Sequence, residues 1–198
     1  MDSRTLQAYD ADAAGFAREW HAQPPPNDMY DLLLRHFRPG PTADVGCGSG
    51  REVAWLAANG FPTRGFDASA ALLHEARTRY PGLDFAQAAL PDLVGVEKGQ
   101  FENVLCETVL MHLPPEEIGR ASRALLDLLR PRGTLYLSWR AGESTSQRDG
   151  HGRLYSAFDK LAVTDAWGND ASLVFDEENL SVSSGRKVHR LIARKHPG

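Results

Sequence analysis

The sequence predicts an α/β domain built on a mainly parallel sheet with helices on both faces, and three observations predict it. A short, nearly apolar segment, Thr42–Val45, runs straight into the turn Gly46-Cys47-Gly48-Ser49-Gly50. A helix-period stretch over 51–58 follows, and then a second apolar run over 61–66. Strand, glycine turn, helix and strand in that order make a βαβ unit, and such units stack into parallel sheets covered by helices.

The other elements follow in order. Residues 1–22 carry Leu6, Tyr9, Ala13, Phe16, Ala17 and Trp20 at roughly helical spacing, and Pro24-Pro25-Pro26 ends that segment. A second helix begins at Asn27 or Asp28 and runs through Phe37 to the Pro39-Gly40-Pro41 break. Asn59-Gly60 closes the 51–58 helix, and Asp67 stands at the end of the second strand. Ser69 caps a helix reaching about Tyr80, where Pro81-Gly82 stops it. Residues 83–88 and Phe101–Cys106 read as further strands. Pro114-Pro115 opens a helix with Ile118, Ala121, Leu125, Leu128 and Leu129 on one face, and Pro131-Arg132-Gly133 turns into a fifth strand at 134–139. Residues 141–152 lack a hydrophobic period and read as an exposed loop. A short strand or turn at 154–158, a helix at 160–167 and two strands at 171–175 and 187–194 complete the chain. The polar stretch SVSSGR between the last two suggests an antiparallel pair. The expected organisation is a single domain over 1–198, with 1–41 as an N-terminal helical cap and 141–158 as a lid or substrate loop.

Composition narrows the function. Hydrophobic residues make up 42% and charged residues 24% of 198, as in a soluble globular protein. A net charge of -4 gives no electrostatic argument for a nucleic-acid partner. The densest basic run, Arg186 to Lys195, alternates with Val188, Leu191 and Ile192 as a strand would. No apolar stretch reaches transmembrane length and the polar start is no signal peptide, so a cytoplasmic protein, monomer or homodimer, without a membrane partner is expected. Cys47 and Cys106 form no CxxC pair and no metal-ligand cluster surrounds them. They read as reduced and buried, with no metal expected.

The glycine turn carries chemistry. Gly46, Gly48 and Gly50 remove side chains where backbone must approach a ligand closely, and the helix that follows presents free N–H groups. Asp67, 17 residues after Gly50, could accept hydrogen bonds from both hydroxyls of a ribose. The match is GxGxG rather than the GxGxxG of a dinucleotide site, and position 51 is Arg.

Through ADVGCGSG with Asp67, and more loosely through FENVLCETVLMHLPPEE and LLRPRGTLYLS, the stretch 42–139 resembles the class I S-adenosylmethionine-dependent methyltransferases of compact bacterial type. The resemblance implies a Rossmann-like, seven-stranded, mostly parallel sheet whose final strand is antiparallel and inserts beside the fifth. It implies S-adenosyl-L-methionine as cofactor. Asp44 would orient the loop or meet the methionine ammonium, while Gly46, Cys47, Gly48, Gly50 and Arg51 would shape or flank the wall. Asp67 would hold the ribose and Ala68 would line the adenine pocket. Ala89 stands where the family often has an acid for the adenine amino group, so Gln87, backbone near Ala89 or packing on Leu90 must serve instead. Glu107 and Thr108 would lie near the sulfonium and the acceptor, and Arg18 would reach the cofactor carboxylate.

The expected reaction is methyl transfer to a small-molecule nucleophile, for which positioning supplies much of the rate. His112 is the candidate catalytic base, with Tyr9, Tyr155 and His151 weaker, and Arg51, Arg140, Arg148 and Arg153 could hold an acidic acceptor. His112 could equally fix its loop by hydrogen bonding. Alternative readings are a non-catalytic S-adenosylmethionine-binding regulatory protein, a nucleotide-dependent oxidoreductase, or a protein or nucleic-acid methyltransferase.

Overall fold

The computed structural model describes residues 1–142 and 144–198. Glu143, within the expected loop 141–158, lies outside the described residues. One seven-stranded sheet has the order β3-β2-β1-β4-β5-β9-β8. Its members are β1 (Thr42–Val45), β2 (Thr63–Asp67), β3 (Asp84–Gln87), β4 (Phe101–Cys106), β5 (Leu129–Arg140), β8 (Ala171–Leu180) and β9 (Lys187–Lys195). The first five strands pair in parallel, and β9 is antiparallel to both β5 and β8. The segment around Val188 to Ala193 thus inserts beside the fifth strand as expected.

Alternation along the strands feeds two cores. Ala43, Val45, Val104, Cys106, Leu135 and Leu137 point to the face covered by α6 (Ile118–Leu128). Leu105, Tyr136 and Ile192 point the other way, against Met29 and Leu33 of α3 (Asn27–His36) and Leu56 of α4 (Arg51–Ala58). Burial on both faces is why β4 and the second half of β5 read as continuous apolar runs. On the α6 side, α7 (Leu161–Thr164) and the turn after it are held by polar pins. The Trp167 indole donates to Ser122 Oγ at 2.7 Å, and that hydroxyl donates to the Val163 carbonyl at 2.9 Å.

Local expectations change: β5 begins at Leu129, ahead of the Pro131-Arg132-Gly133 segment expected as a turn, and three further differences follow. The single N-terminal stripe is two helices, α1 (Ser3–Ala11) and α2 (Ala13–Ala22), because the Asp12 carboxylate accepts the Gly15 N–H and caps a new helix. The stripe persists because Ala13 and Phe16 still pack on Leu72 of α5 (Ala70–Arg79). The expected loop 141–152 contains β6 (Gln147–Arg148), paired antiparallel with β7 (Leu154–Tyr155). The Arg148 guanidinium grips both oxygens of Asp2 at 2.8 and 2.9 Å, anchoring this hairpin to the start of α1. Finally, β8 continues past Phe175 to Leu180. It is a sheet edge whose later residues are exposed, so they carry no apolar signal.

Candidate active site

The turn from β1 into α4 is shaped by its glycines. Gly46 and Gly48 have φ of +80° and +53°, which side-chain-bearing residues avoid. A Cβ on Gly46 would lie 2.2 Å from Val109 Cγ2, and one on Gly48 2.9 Å from the Trp20 ring. The Gly46 and Cys47 N–H groups both donate to the Phe66 carbonyl, at 2.7 and 3.0 Å, which ties the turn to the end of β2. There Asp67 Oδ2 accepts the Gly48 N–H and Oδ1 accepts the Ser69 N–H, each at 2.8 Å. Each carboxylate oxygen keeps further acceptor capacity, so the same side chain can brace the loop and still meet a ribose.

Asp44 projects from β1 opposite to Ala43 and Val45. It is 3% exposed, and its Oδ2 has no hydrogen-bond partner. Burial, reinforced by Glu52, Asp67 and Glu107, pushes its pKa well above the ordinary carboxylate value. A buried acceptor without a partner, facing a cavity, fits a ligand that brings N–H donors and positive charge. The donor set and the glycine cradle therefore fit the aminoacyl and ribose parts of S-adenosylmethionine.

One cavity collects most of the residues expected at the site. Asp44, Gly46, Cys47, Gly48, Arg51, Asp67, Ala68, Glu107 and Thr108 line it, and so does His112. Arg51 lines it too, with Nε on Glu52 at 2.6 Å and Nη1 on the Trp20 carbonyl at 2.9 Å, so it braces α2 against α4. Gly50 is not part of the lining; its α-carbon faces Phe85 and Tyr80 at the start of α4. Arg18 is not brought to the cavity either, because it projects from the exposed side of α2. Ala89 is exposed and Leu90 is packed into the core, and neither meets the cavity. Gln87 spends its amide N–H on the Ala68 carbonyl at 2.9 Å, fixing the wall on that side.

Sequence reasoning missed Glu52 and the trio Ser181, Ser183 and Ser184, which also line the cavity. The serines sit in the β8–β9 connection, and their polar composition signalled only a loop. Glu52 follows the glycine turn in the first turn of α4, where an acid is also favoured by the helix dipole, so its type gave no separate signal.

At the far end His112 ends a short helical turn, Leu110–His112. Its Nδ1 lies 2.6 Å from the Leu154 carbonyl and must donate, which leaves Nε2 to accept the Tyr9 hydroxyl proton at 2.9 Å. His112 is 4% exposed, and burial lowers its pKa from 6.5 to about 4. Neutral, with both nitrogens engaged, it has the geometry of a loop-fixing residue rather than of a free base. Beside it the Arg153 guanidinium lies 4.7 Å from the Phe16 ring centre and 2.7 Å from Asp149, and Arg140 lies 4.7 Å from the Tyr155 ring centre. Of the weaker alternatives, Tyr9 and Tyr155 line the cavity, whereas His151 is exposed and is not part of the lining. Both cysteines are free and buried. Among the described residues, no cluster of three or more His, Cys, Asp or Glu side chains could hold a metal ion.

Residues 43–137 match the family model described as a methyltransferase domain. Over 133 residues the chain is 33% identical to the ubiquinone biosynthesis O-methyltransferase of Xanthomonas campestris pv. campestris, covering 64% of this chain and 54% of that protein. The chain thus spans about half the length of the curated relatives it matches. Among solved structures, the magnesium protoporphyrin IX methyltransferase of Synechocystis PCC 6803 with bound SAM superposes with a TM-score of 0.74 at 19% identity, covering 98% of each chain. The 1,6-didemethyltoxoflavin-N1-methyltransferase of Burkholderia thailandensis also gives a TM-score of 0.74, at 18% identity, covering 98% of this chain and 88% of that one. The chain has the Rossmann-like fold of the class I S-adenosylmethionine-dependent methyltransferases, with the methyltransferase-domain match lying over its first five strands. The methyltransferase-domain match and this fold give S-adenosylmethionine as the cofactor. No helix among the described residues is long and apolar enough to cross a membrane.

Proposed function

We propose that this chain transfers the methyl group of S-adenosylmethionine to a small-molecule nucleophile. The observation that carries the reading is the unpartnered, buried Asp44 oxygen at the glycine-lined end of the cavity, with Asp67 beside it. When bound, the cofactor supplies an electrophilic methyl on a sulfonium. An acceptor lone pair forms the new bond to carbon as the carbon–sulfur bond breaks, and its electron pair stays on sulfur. Asp44 would take the ammonium and Asp67 the ribose hydroxyls, leaving Glu107 and Thr108 nearest the reacting centre. Residues 1–41 would act as a cap, with Tyr9 and Trp20 excluding water, and the β6–β7 hairpin would wall the acceptor end. His112 would hold that wall. An acceptor that arrives already anionic, or with a free lone pair, needs no proton removed before attack. Ubiquinone biosynthesis O-methyltransferases and the porphyrin and toxoflavin enzymes named above support a low-molecular-weight acceptor, without saying which.

Calorimetric titration with S-adenosylhomocysteine tests the foundation. Binding is expected, and Asp67→Ala should weaken it at least about tenfold by removing charge-assisted hydrogen bonds. No heat at millimolar ligand, or unchanged affinity in the variant, would reject the donor site. A radiolabelled methyl-transfer screen over pooled metabolites, followed by product mass analysis, then identifies the acceptor.

A further inference from the structure

The cavity is electrically two-ended. Glu52, Asp67 and Glu107 gather around Asp44 at the glycine-loop end. Arg140 and Arg153 converge on the Tyr155 ring at the other, with centroid distances of 4.7 and 5.8 Å. These two cations are not equivalent. Arg153 is neutralised by Asp149, with Nη2 at 2.7 Å and Nε at 2.8 Å from its carboxylate. Arg140 is half-buried at the end of β5 and lines the cavity, and among the described residues no carboxylate pairs with it. The acid beside this cluster, Asp149, is committed to Arg153; His112 is neutral, the Tyr9 hydroxyl hydrogen-bonds to it, and Met111 is apolar. A guanidinium held against an aromatic ring in a partly enclosed cavity, without a counter-ion, is stabilised when a ligand brings one.

We propose that the acceptor bears an anionic group, carboxylate or phosphate, seated on Arg140, with an apolar body against Val109 and Met111. The inference deepens the reading above, because it assigns the acceptor to the end opposite the donor. It also gives the two ends complementary partners: carboxylates for the cationic donor and a guanidinium for the anionic acceptor. That polarity would orient both reactants before any contact specific to either is made.

Benzoate, phenyl phosphate and neutral benzamide are suitable probes, titrated by ligand-observed NMR with and without S-adenosylhomocysteine. Either anion should bind more tightly than benzamide. Arg140→Gln should weaken the anion at least about tenfold, the loss of a charge-assisted hydrogen bond, while S-adenosylhomocysteine binding persists. Arg140→Lys should recover part of the anion affinity, and this variant decides the matter if the glutamine variant fails to fold. Benzoate or phenyl phosphate binding supports the proposal, and the stronger of the two identifies the group. Equal binding of benzamide, anion binding that survives in Arg140→Gln, or no anion binding at millimolar concentration overturns it. Anion binding without any S-adenosylhomocysteine binding would instead sink the donor reading and leave the Arg140 site standing.

Discussion

The Tyr9 hydroxyl donates to Nε2 of His112 at 2.9 Å, joining two residues 103 positions apart in sequence. Because Nδ1 donates to the Leu154 carbonyl, this one imidazole couples α1, the turn after β4 and the β6–β7 hairpin. Its neutrality is a condition of that coupling, since a protonated ring could not accept from Tyr9.

Stability should therefore fall with acid over a defined window. The folded His112 titrates near 4 and the unfolded one near 6.5, so between those values the unfolded chain binds more protons. Stability is then fully present above about pH 6.5 and is lost as pH falls towards 4, by up to about 3 kcal/mol from this group. Urea midpoints measured from pH 7 to pH 4 should slope less in His112→Gln than in the parent, and parallel slopes would refute the assignment.

Asp44 should trade stability against binding. Asp44→Asn replaces a buried carboxylate that has an unpartnered oxygen with a neutral amide of equal size. The free protein should gain about 1 kcal/mol, while S-adenosylhomocysteine affinity falls at least about tenfold. Thermal melts with and without ligand read both effects, and a variant that keeps full affinity would show that Asp44 does not meet the ligand.

Two glycines with similar backbone angles should respond very differently to alanine. Gly46 and Gly60 have φ of +80° and +87°, but a Cβ at Gly46 strikes Val109 while one at Gly60 meets nothing within 4 Å. Gly60→Ala should cost about 1 kcal/mol, the left-handed backbone penalty alone. Gly46→Ala adds overpacking and should cost roughly 2–5 kcal/mol in all. Denaturant unfolding of the two variants makes the comparison, and equal losses would mean that the close approach to Val109 is unimportant.

The Arg190–Asp28 pair, 2.6 Å apart with Arg190 only 3% exposed, should show the asymmetry of buried charge. Arg190→Leu leaves Asp28 without its partner and should cost about 3–5 kcal/mol. Adding Asp28→Leu should recover much of that loss, because the Asp28 Oδ1 and Arg190 Nε atoms already lack partners. A double variant as unstable as the single one would mean that the pair adds more attraction than its desolvation costs.

The sequence was most legible where local patterns and tertiary needs coincide. Strand, GxGxG turn, helix and Asp67 all lie within 26 residues of one another, from Thr42 to Asp67, and each is a local consequence of backbone geometry. The order of β9 and β8 followed from the family resemblance rather than from periodicity. What stayed hidden is nonlocal. Nothing in SVSSGR says that serines 181, 183 and 184 return to a cavity begun at Asp44. Arg18 and Arg51 were equivalent cations until the fold turned one outward and occupied the other with Glu52 and Trp20. Tyr9 and His112 were separate candidates until folding made each the other's partner.

The β8–β9 connection is held to α3 through a single carboxylate: Asp28 Oδ2 accepts both the Val182 N–H at 3.2 Å and the Arg190 guanidinium at 2.6 Å. These contacts close loops spanning 154 and 162 residues, so their entropy must be met after the local βαβ units have formed. The serine wall of the cavity is thus in place only in molecules whose last strand has docked. Apparent ligand affinity scales with the fraction of such molecules. Substitutions in β9 that touch no ligand should consequently lower affinity through population, making ligand binding a gauge of how completely the chain has closed.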